Sequence, residues 1–197
     1  MIREFNRNLY LFFEFIKGKN RNFALMYKVV PKKRYQQTLE LVDKFFNSEE
    51  KILDLGIENP LSNLIREKGF QVTNTSGEDL DDEFEYLKNI EADAVTAFEI
   101  LEHLLNPYSV LKNLPGQKLL VTVPLKLWFA EPYRNMNDIR DWHYHEFTDW
   151  QLDRLLEKSG WEIKFRKKWT NPSGKIGIRP LLRRITPRYY AVYAERK

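Results

Sequence analysis

Apolar positions along the chain follow two periods. Near the amino terminus, Ile2, Phe5, Leu9, Phe12, Phe13 and Ile16 recur at helical spacing and predict a helix over 2–16 with a wide apolar face. Asn20 to Lys33 is basic and mixed, and Pro31 breaks any helix through it. A second helix is predicted from Arg34 to Phe46, with Leu39, Leu41, Val42, Phe45 and Phe46 turned inward. Then the register changes. Lys51–Gly56, Phe70–Thr75, Ala92–Phe98 and Lys118–Val123 are short apolar runs that end on Gly, polar residues or Pro124, the pattern of buried strands. Helical spacing returns between them, at Leu61–Lys68 before Gly69, at Leu101–Leu114, and later at Asp149–Ser159 behind Thr148, a good N-cap.

Strands alternating with helices predict an α/β fold with a mostly parallel sheet and helices on both faces. The carboxyl end differs. Trp161–Trp169 and Tyr189–Arg196 read as strands joined by a Pro-, Gly- and Arg-rich linker. A parallel pair needs a dozen or more residues of crossover, so an antiparallel hairpin is expected, with room for a short helix around Pro180–Ile185. The expected organisation is one domain: a helical cap over 1–48, a nucleotide-binding core over 49–169, and a basic hairpin loop with the last strand over 170–197.

Composition narrows the chemistry. The 197 residues contain no cysteine, which excludes disulfides, thiolate metal sites and a cysteine nucleophile. No apolar run is long enough for a membrane span, and Asn8 and Glu14 interrupt the Leu9–Ile16 stretch that otherwise looks like a signal peptide, so a cytoplasmic location is expected. The formal charge of +4 hides an asymmetry: ten acidic residues and one lysine from Ser76 to Glu102, against eleven basic and two acidic ones from Trp161 onward. Such a basic region is a footprint for an anionic partner such as lipid headgroups, phosphorylated glycans or nucleic acid.

Three segments carry a resemblance. Asp54-Leu55-Gly56-Ile57-Glu58-Asn59-Pro60 closes the first strand of the sheet. Ala92-Asp93-Ala94-Val95-Thr96-Ala97-Phe98-Glu99-Ile100-Leu101-Glu102-His103-Leu104 precedes Asn106-Pro107. Downstream, Trp142-His143-Tyr144-His145-Glu146-Phe147-Thr148 leads into Gln151-Leu152 and on to Gly160-Trp161. In type, spacing and order these segments resemble class I S-adenosylmethionine-dependent methyltransferases, as a small divergent member. The resemblance implies a Rossmann-like methyltransferase fold and S-adenosyl-L-methionine as cofactor. It places Asp54, Gly56, Ile57, Glu58 and Asn59 against the methionine part and Phe98 and Glu99 beside the cofactor.

The glycine loop departs from the family pattern, because Glu58 and Pro60 replace its second and third glycines. Glu58 either pairs with the cofactor's ammonium group or belongs to the first turn of the following helix, where the dipole favours an anion. The acidic residue that normally holds the ribose aligns with Ser76, leaving Glu78 and Asp79 as alternatives. Only sixteen residues separate Thr75 from Ala92, so this side of the sheet is expected to be trimmed.

The acceptor is expected to meet Pro124–His145, with His145, His143 and Tyr133 as the catalytic candidates, His145 ahead of His143. A metal held by Asp138, Asp141, His143 and His145 has suitable ligand types, but the resemblance implies none. The expected activity is methyl transfer to a small molecule or to a saccharide or lipid precursor. The alternatives are a degenerate, non-catalytic binding protein and an RNA-directed enzyme; for the last, no Asn/Asp-Pro-Pro-aromatic motif follows the fourth strand.

Overall fold

A computed structural model describes residues 32–131, 133, 141–172 and 176–197. The helix expected over 2–16, the basic stretch through Pro31 and the candidate ligand Asp138 lie outside these residues. Residues 33–197 form one compact unit. Its helices are α1 (Lys32–Phe45), α2 (Pro60–Glu67), α3 (Pro107–Asn113), α4 (Asp149–Lys158) and α5 (Ile178–Ile185). Its strands are β1 (Lys51–Asp54), β2 (Gln71–Asn74), β3 (Ala94–Phe98), β4 (Lys118–Pro124), β5 (Trp161–Thr170) and β6 (Pro187–Arg196).

The six strands form one sheet in the order β2-β1-β3-β4-β6-β5. The first four are parallel; β6 runs antiparallel between β4 and β5, as expected of the carboxyl-terminal hairpin. Side chains alternate between the two faces. Leu53, Leu55, Val95, Ala97, Leu119, Val121 and Val123 join one buried cluster with Val110 and Leu111 of α3, Leu152 and Leu156 of α4, and Trp161. On the opposite face Phe45 of α1 stacks on Tyr193, ring centroids 4.1 Å apart, and tilts against Phe165. Helices therefore cover both faces, and the central strands are buried except at their ends.

One element differs from the sequence expectation. The helix expected over Leu101–Leu114 is broken into a 3₁₀ turn, Leu101–His103, and α3. Pro107 has no N–H and clashes with the preceding turn, so it occupies the first position of a new helix capped by Asn106. The Leu105 and Asn106 N–H groups, freed by the break, donate to Asp81 at 2.8 and 2.7 Å. The linker of the hairpin contains a short helix, α5, where the pattern left room for one. Between β2 and β3 lies a 3₁₀ helix, Phe84–Asn89, and no further strand, so β2 is a sheet edge.

Candidate functional site

From β1 the chain passes through α2 to β2 on one side, then returns to β3 on the other side of β1. Connections thus leave β1 and β3 in opposite directions, and in an open α/β sheet the crevice beyond the carboxyl ends of such strands is where ligands bind. The loop after β1 and the residues ending β3 border that crevice.

The loop is fixed from beneath. Asp54, fully buried, accepts from Thr96 Oγ1 at 2.6 Å and from Asn74 Nδ2 at 2.9 Å. Desolvation pushes its carboxyl up to about 6, against the lowering effect of the bonds from Thr96 and Asn74. Asn74 also donates to the Gly56 carbonyl at 3.0 Å, and the Gly56 N–H donates to Thr75 Oγ1 at 2.7 Å. Gly56 has φ +99°, and a Cβ there would come within 3.3 Å of Ile100 Cδ1. Glycine meets both demands. Asn59 caps α2 by accepting from Leu61 and Ser62 N–H, and Pro60 takes the first helical position. The two departures from the glycine pattern thus fall at the helix start. Glu58 sits ahead of the cap, outside the first turn; its side chain is 65% exposed and lies 3.8 Å from Arg66. Ile57 is exposed.

After β2, Glu78 accepts the Ser76 N–H at 2.8 Å, and bonding to backbone N–H groups holds its carboxyl below the usual range. Asp79 Oδ1 accepts from the Asp81 N–H. Ser76 is exposed.

Phe98 and Glu99 end β3. Glu99 has φ +56°, the only positive value among the described non-glycine residues. It is held by three contacts: its N–H on the Thr122 carbonyl, Thr122 Oγ1 donating to Oε1 at 3.0 Å, and Arg34 Nη1 at 3.1 Å from Oε2. Arg34 comes from α1, and its guanidinium also lies over the Tyr189 ring. No local pattern pointed to Arg34, Thr122 or Tyr189, because each reaches Glu99 from a distant part of the chain.

The histidines divide. His143 lies beside His103, ring centroids 4.9 Å apart and nearly perpendicular, and 5.1 Å from the Tyr133 ring. Desolvation, then His103, pushes it down to about 4, so the ring is neutral at physiological pH. Tyr133 donates to Asp141 at 2.9 Å. His145 stands apart from this group: its Nε2 is 3.3 Å from the Leu105 carbonyl, its ring stacks on Phe147, and it lines an open cavity of about 430 Å³ with Leu105, Pro107 and Tyr144. Glu102, fully buried in the 3₁₀ turn, accepts the Tyr144 and His145 N–H groups on its carbonyl. Burial and the neighbouring Glu99 raise its carboxyl well above the usual range.

A solved S-adenosylmethionine-dependent methyltransferase from Archaeoglobus fulgidus matches with a TM-score of 0.59 at 15% identity, over 88% of this chain and 98% of that one. The chain has the class I methyltransferase fold. A second solved structure with this fold is the 1,6-didemethyltoxoflavin-N1-methyltransferase of Burkholderia thailandensis, with 1,6-didemethyltoxoflavin and S-adenosylhomocysteine bound. It matches with a TM-score of 0.58 at 14% identity, over 98% of this chain and 89% of that one. The [4+2]-cyclase SpnF also matches, with a TM-score of 0.51 at 14% identity over 82% and 81% of the two chains. No family model and no curated protein matches the sequence.

Proposed function

We propose that the chain is an S-adenosylmethionine-dependent methyltransferase acting on a small molecule or on a saccharide or lipid precursor. The observation that carries this reading is the crevice between β1 and β3, bordered by a glycine loop pinned at positive φ and by Glu99. The residues there suit the cofactor. Gly56 presents backbone without a Cβ, Ile57 and Asn59 extend that rim, and Asp54 fixes its shape from below. Phe98 and Glu99 form the opposite wall, and Ser76, Glu78 and Asp79 border the ribose end. Glu58, facing Arg66, contributes at the outer edge of the methionine side.

The bound cofactor supplies an electrophilic methyl group. The chain's part is to hold the acceptor in line and, for a hydroxyl acceptor, to take its proton. His143, against the Tyr133 ring, lines the position of that acceptor, and His145 contributes at the rim.

The basic carboxyl-terminal region fits an anionic lipid surface, which favours a lipid-linked acceptor. On α5, Ile178, Leu181 and Ile185 share one face and are 80, 60 and 73% exposed, while Arg179, Arg183 and Arg184 occupy the other. An exposed apolar stripe flanked by arginines, with no acidic residue, is the chemistry of an interfacial helix. No helix among the described residues is long and apolar enough to cross a membrane.

Calorimetric titration of the full chain with S-adenosylhomocysteine tests the enzyme reading. Binding in the micromolar range, lost in Gly56→Val, supports it; no heat at millimolar ligand removes it. One observation favours the degenerate reading instead: the Glu78 carboxylate at the ribose end is already engaged by a backbone N–H. The cyclase on this fold shows that the architecture alone does not dictate methyl transfer.

A further inference from the structure

Beyond the cofactor crevice, Glu102 and His103 of the 3₁₀ turn after β3 meet His143 of the downstream segment. Glu102 is 1% exposed, and its Oε2 has no hydrogen-bond partner. A buried carboxylate oxygen left in that state calls for a proton or a cation. His103 Nδ1 lies 3.0 Å from the Trp142 carbonyl oxygen. A carbonyl only accepts, so Nδ1 carries the hydrogen and Nε2 keeps its lone pair. That Nε2 lies 3.9 Å from Glu102 Oε1, too far for a hydrogen bond. His143 presents the third donor. One ligand atom from each of Glu102, His103 and His143 lies within 4.8 Å of the others.

We propose that Glu102, His103 and His143 form a binding site for a divalent transition-metal ion of the Zn²⁺ type, with a coordination position left open. One carboxylate oxygen and two imidazole nitrogens are a donor set for Zn²⁺, Co²⁺ or Ni²⁺ rather than for Mg²⁺ or Ca²⁺. Donors about 2.0–2.2 Å from an ion stand roughly 3.4 Å apart in a tetrahedral site. The observed separations close to that with side-chain adjustments of under an ångström or so. Three protein ligands leave a fourth position for water or an acceptor oxygen.

The surroundings are those of a prepared site. The His103 Nδ1–H to carbonyl bond is the outer contact that fixes the tautomer of a metal-bound histidine. The Glu102 carbonyl accepts from the Tyr144 and His145 N–H groups at 2.8 and 3.1 Å, which ties the turn to the segment carrying His143. Two cations lie near and act on Glu102 from outside the cluster: Arg34, paired with Glu99 at 3.1 Å, and Arg188, whose Nη1 donates to the Leu125 carbonyl at 2.8 Å. Tyr133, exposed, packs on His143 and marks the side open to solvent. The ligands also differ from the set the sequence pattern offered. Glu102 and His103 join His143 in place of Asp141 and His145, and Asp138 lies outside the described residues.

The site stands on these three residues and does not depend on the cofactor assignment, so the experiment leaves the cofactor out. The full chain, treated with a chelator and exchanged into metal-free buffer, is titrated with Co²⁺ and followed by its visible d–d absorption. Zn²⁺ is then added in competition. One equivalent of Co²⁺ is expected to bind with a tetrahedral or five-coordinate spectrum and to be displaced by Zn²⁺. Glu102→Gln and His143→Gln are each expected to weaken binding by at least about tenfold. His145→Gln is expected to leave it within about twofold, its ring being held by Leu105 and Phe147 instead. His143→Gln, at a half-buried ring, carries the test if the buried Glu102→Gln does not fold. No spectral change at millimolar Co²⁺ overturns the proposal, and so does binding that survives both ligand substitutions. Failure here with intact S-adenosylhomocysteine binding removes the metal alone.

Discussion

At the scale of single residues, the chain sets a buried charge beneath its binding loop. Asp54 is fully buried, and desolvation raises its carboxyl to about 6. Between the unfolded value near 3.8 and this folded value the native state keeps a proton that the unfolded chain releases. Fewer protons bound in the unfolded state means that stability falls as pH rises through that window. The shift is worth about 3 kcal/mol. Asp54→Asn cannot titrate, so the stability difference between wild type and this variant is expected to shrink by about 2–3 kcal/mol from pH 3.5 to pH 7. Urea unfolding of both chains across that range measures it; a constant difference would show that the carboxylate is solvated after all. Asp54 and Gly56 were legible because a strand ending in Asp-x-Gly is a local pattern. The residues that give them their geometry were not. Thr96, Asn74 and Thr75 carry no motif, and they reach the loop only once β1, β2 and β3 are side by side.

At the scale of elements, period and punctuation located the strands and most helices to within about two residues. The exception over Leu101–Leu114 shows why. Apolar spacing continues through Leu104 and Leu105, but Asn106-Pro107 is a helix start, and Asp81 from another loop stabilises the break. The pattern holds the first fact and cannot hold the second. For α5 the reverse applies: helical spacing is present but brief, and no residue of the helix is buried. Its apolar face therefore needs a partner other than the core. If that partner is an anionic membrane surface, the protein should co-sediment with vesicles containing phosphatidylserine and not with purely zwitterionic ones. Binding should fall steeply with salt. Each arginine near the surface is worth about 1 kcal/mol, so Arg183→Glu with Arg184→Glu should weaken binding by at least about thirtyfold. Ile178→Asp should weaken it without changing the salt dependence. Retention on RNA but not on vesicles would move the partner from lipid to nucleic acid.

At the scale of the whole molecule, the strand order is what gives the sequence motifs a common location. Asp54 and Glu99 are 45 positions apart in the sequence, yet adjacent strands β1 and β3 deliver them to one crevice. The alternation of strands and helices predicted a mostly parallel sheet but not its strand order; the adjacency of β1 and β3 belongs to the assembled topology. Whether the crevice still takes its cofactor is a property of the assembled fold, and ligand linkage reports it without any knowledge of the acceptor. A ligand that binds only the native state stabilises it by about 2.7 kcal/mol at a concentration 100 times its Kd. For a chain of this size that raises Tm by roughly 5–10 °C. S-adenosylhomocysteine is expected to produce such a shift and adenosine alone a much smaller one, if the pinned loop after β1 holds the amino-acid part as proposed. In Gly56→Val the shift should vanish, since a β-branched residue is strained at φ +99° and its side chain enters the space already bounded by Ile100. Equal shifts for the two ligands would instead put the binding energy on the nucleoside and leave the glycine loop without a role.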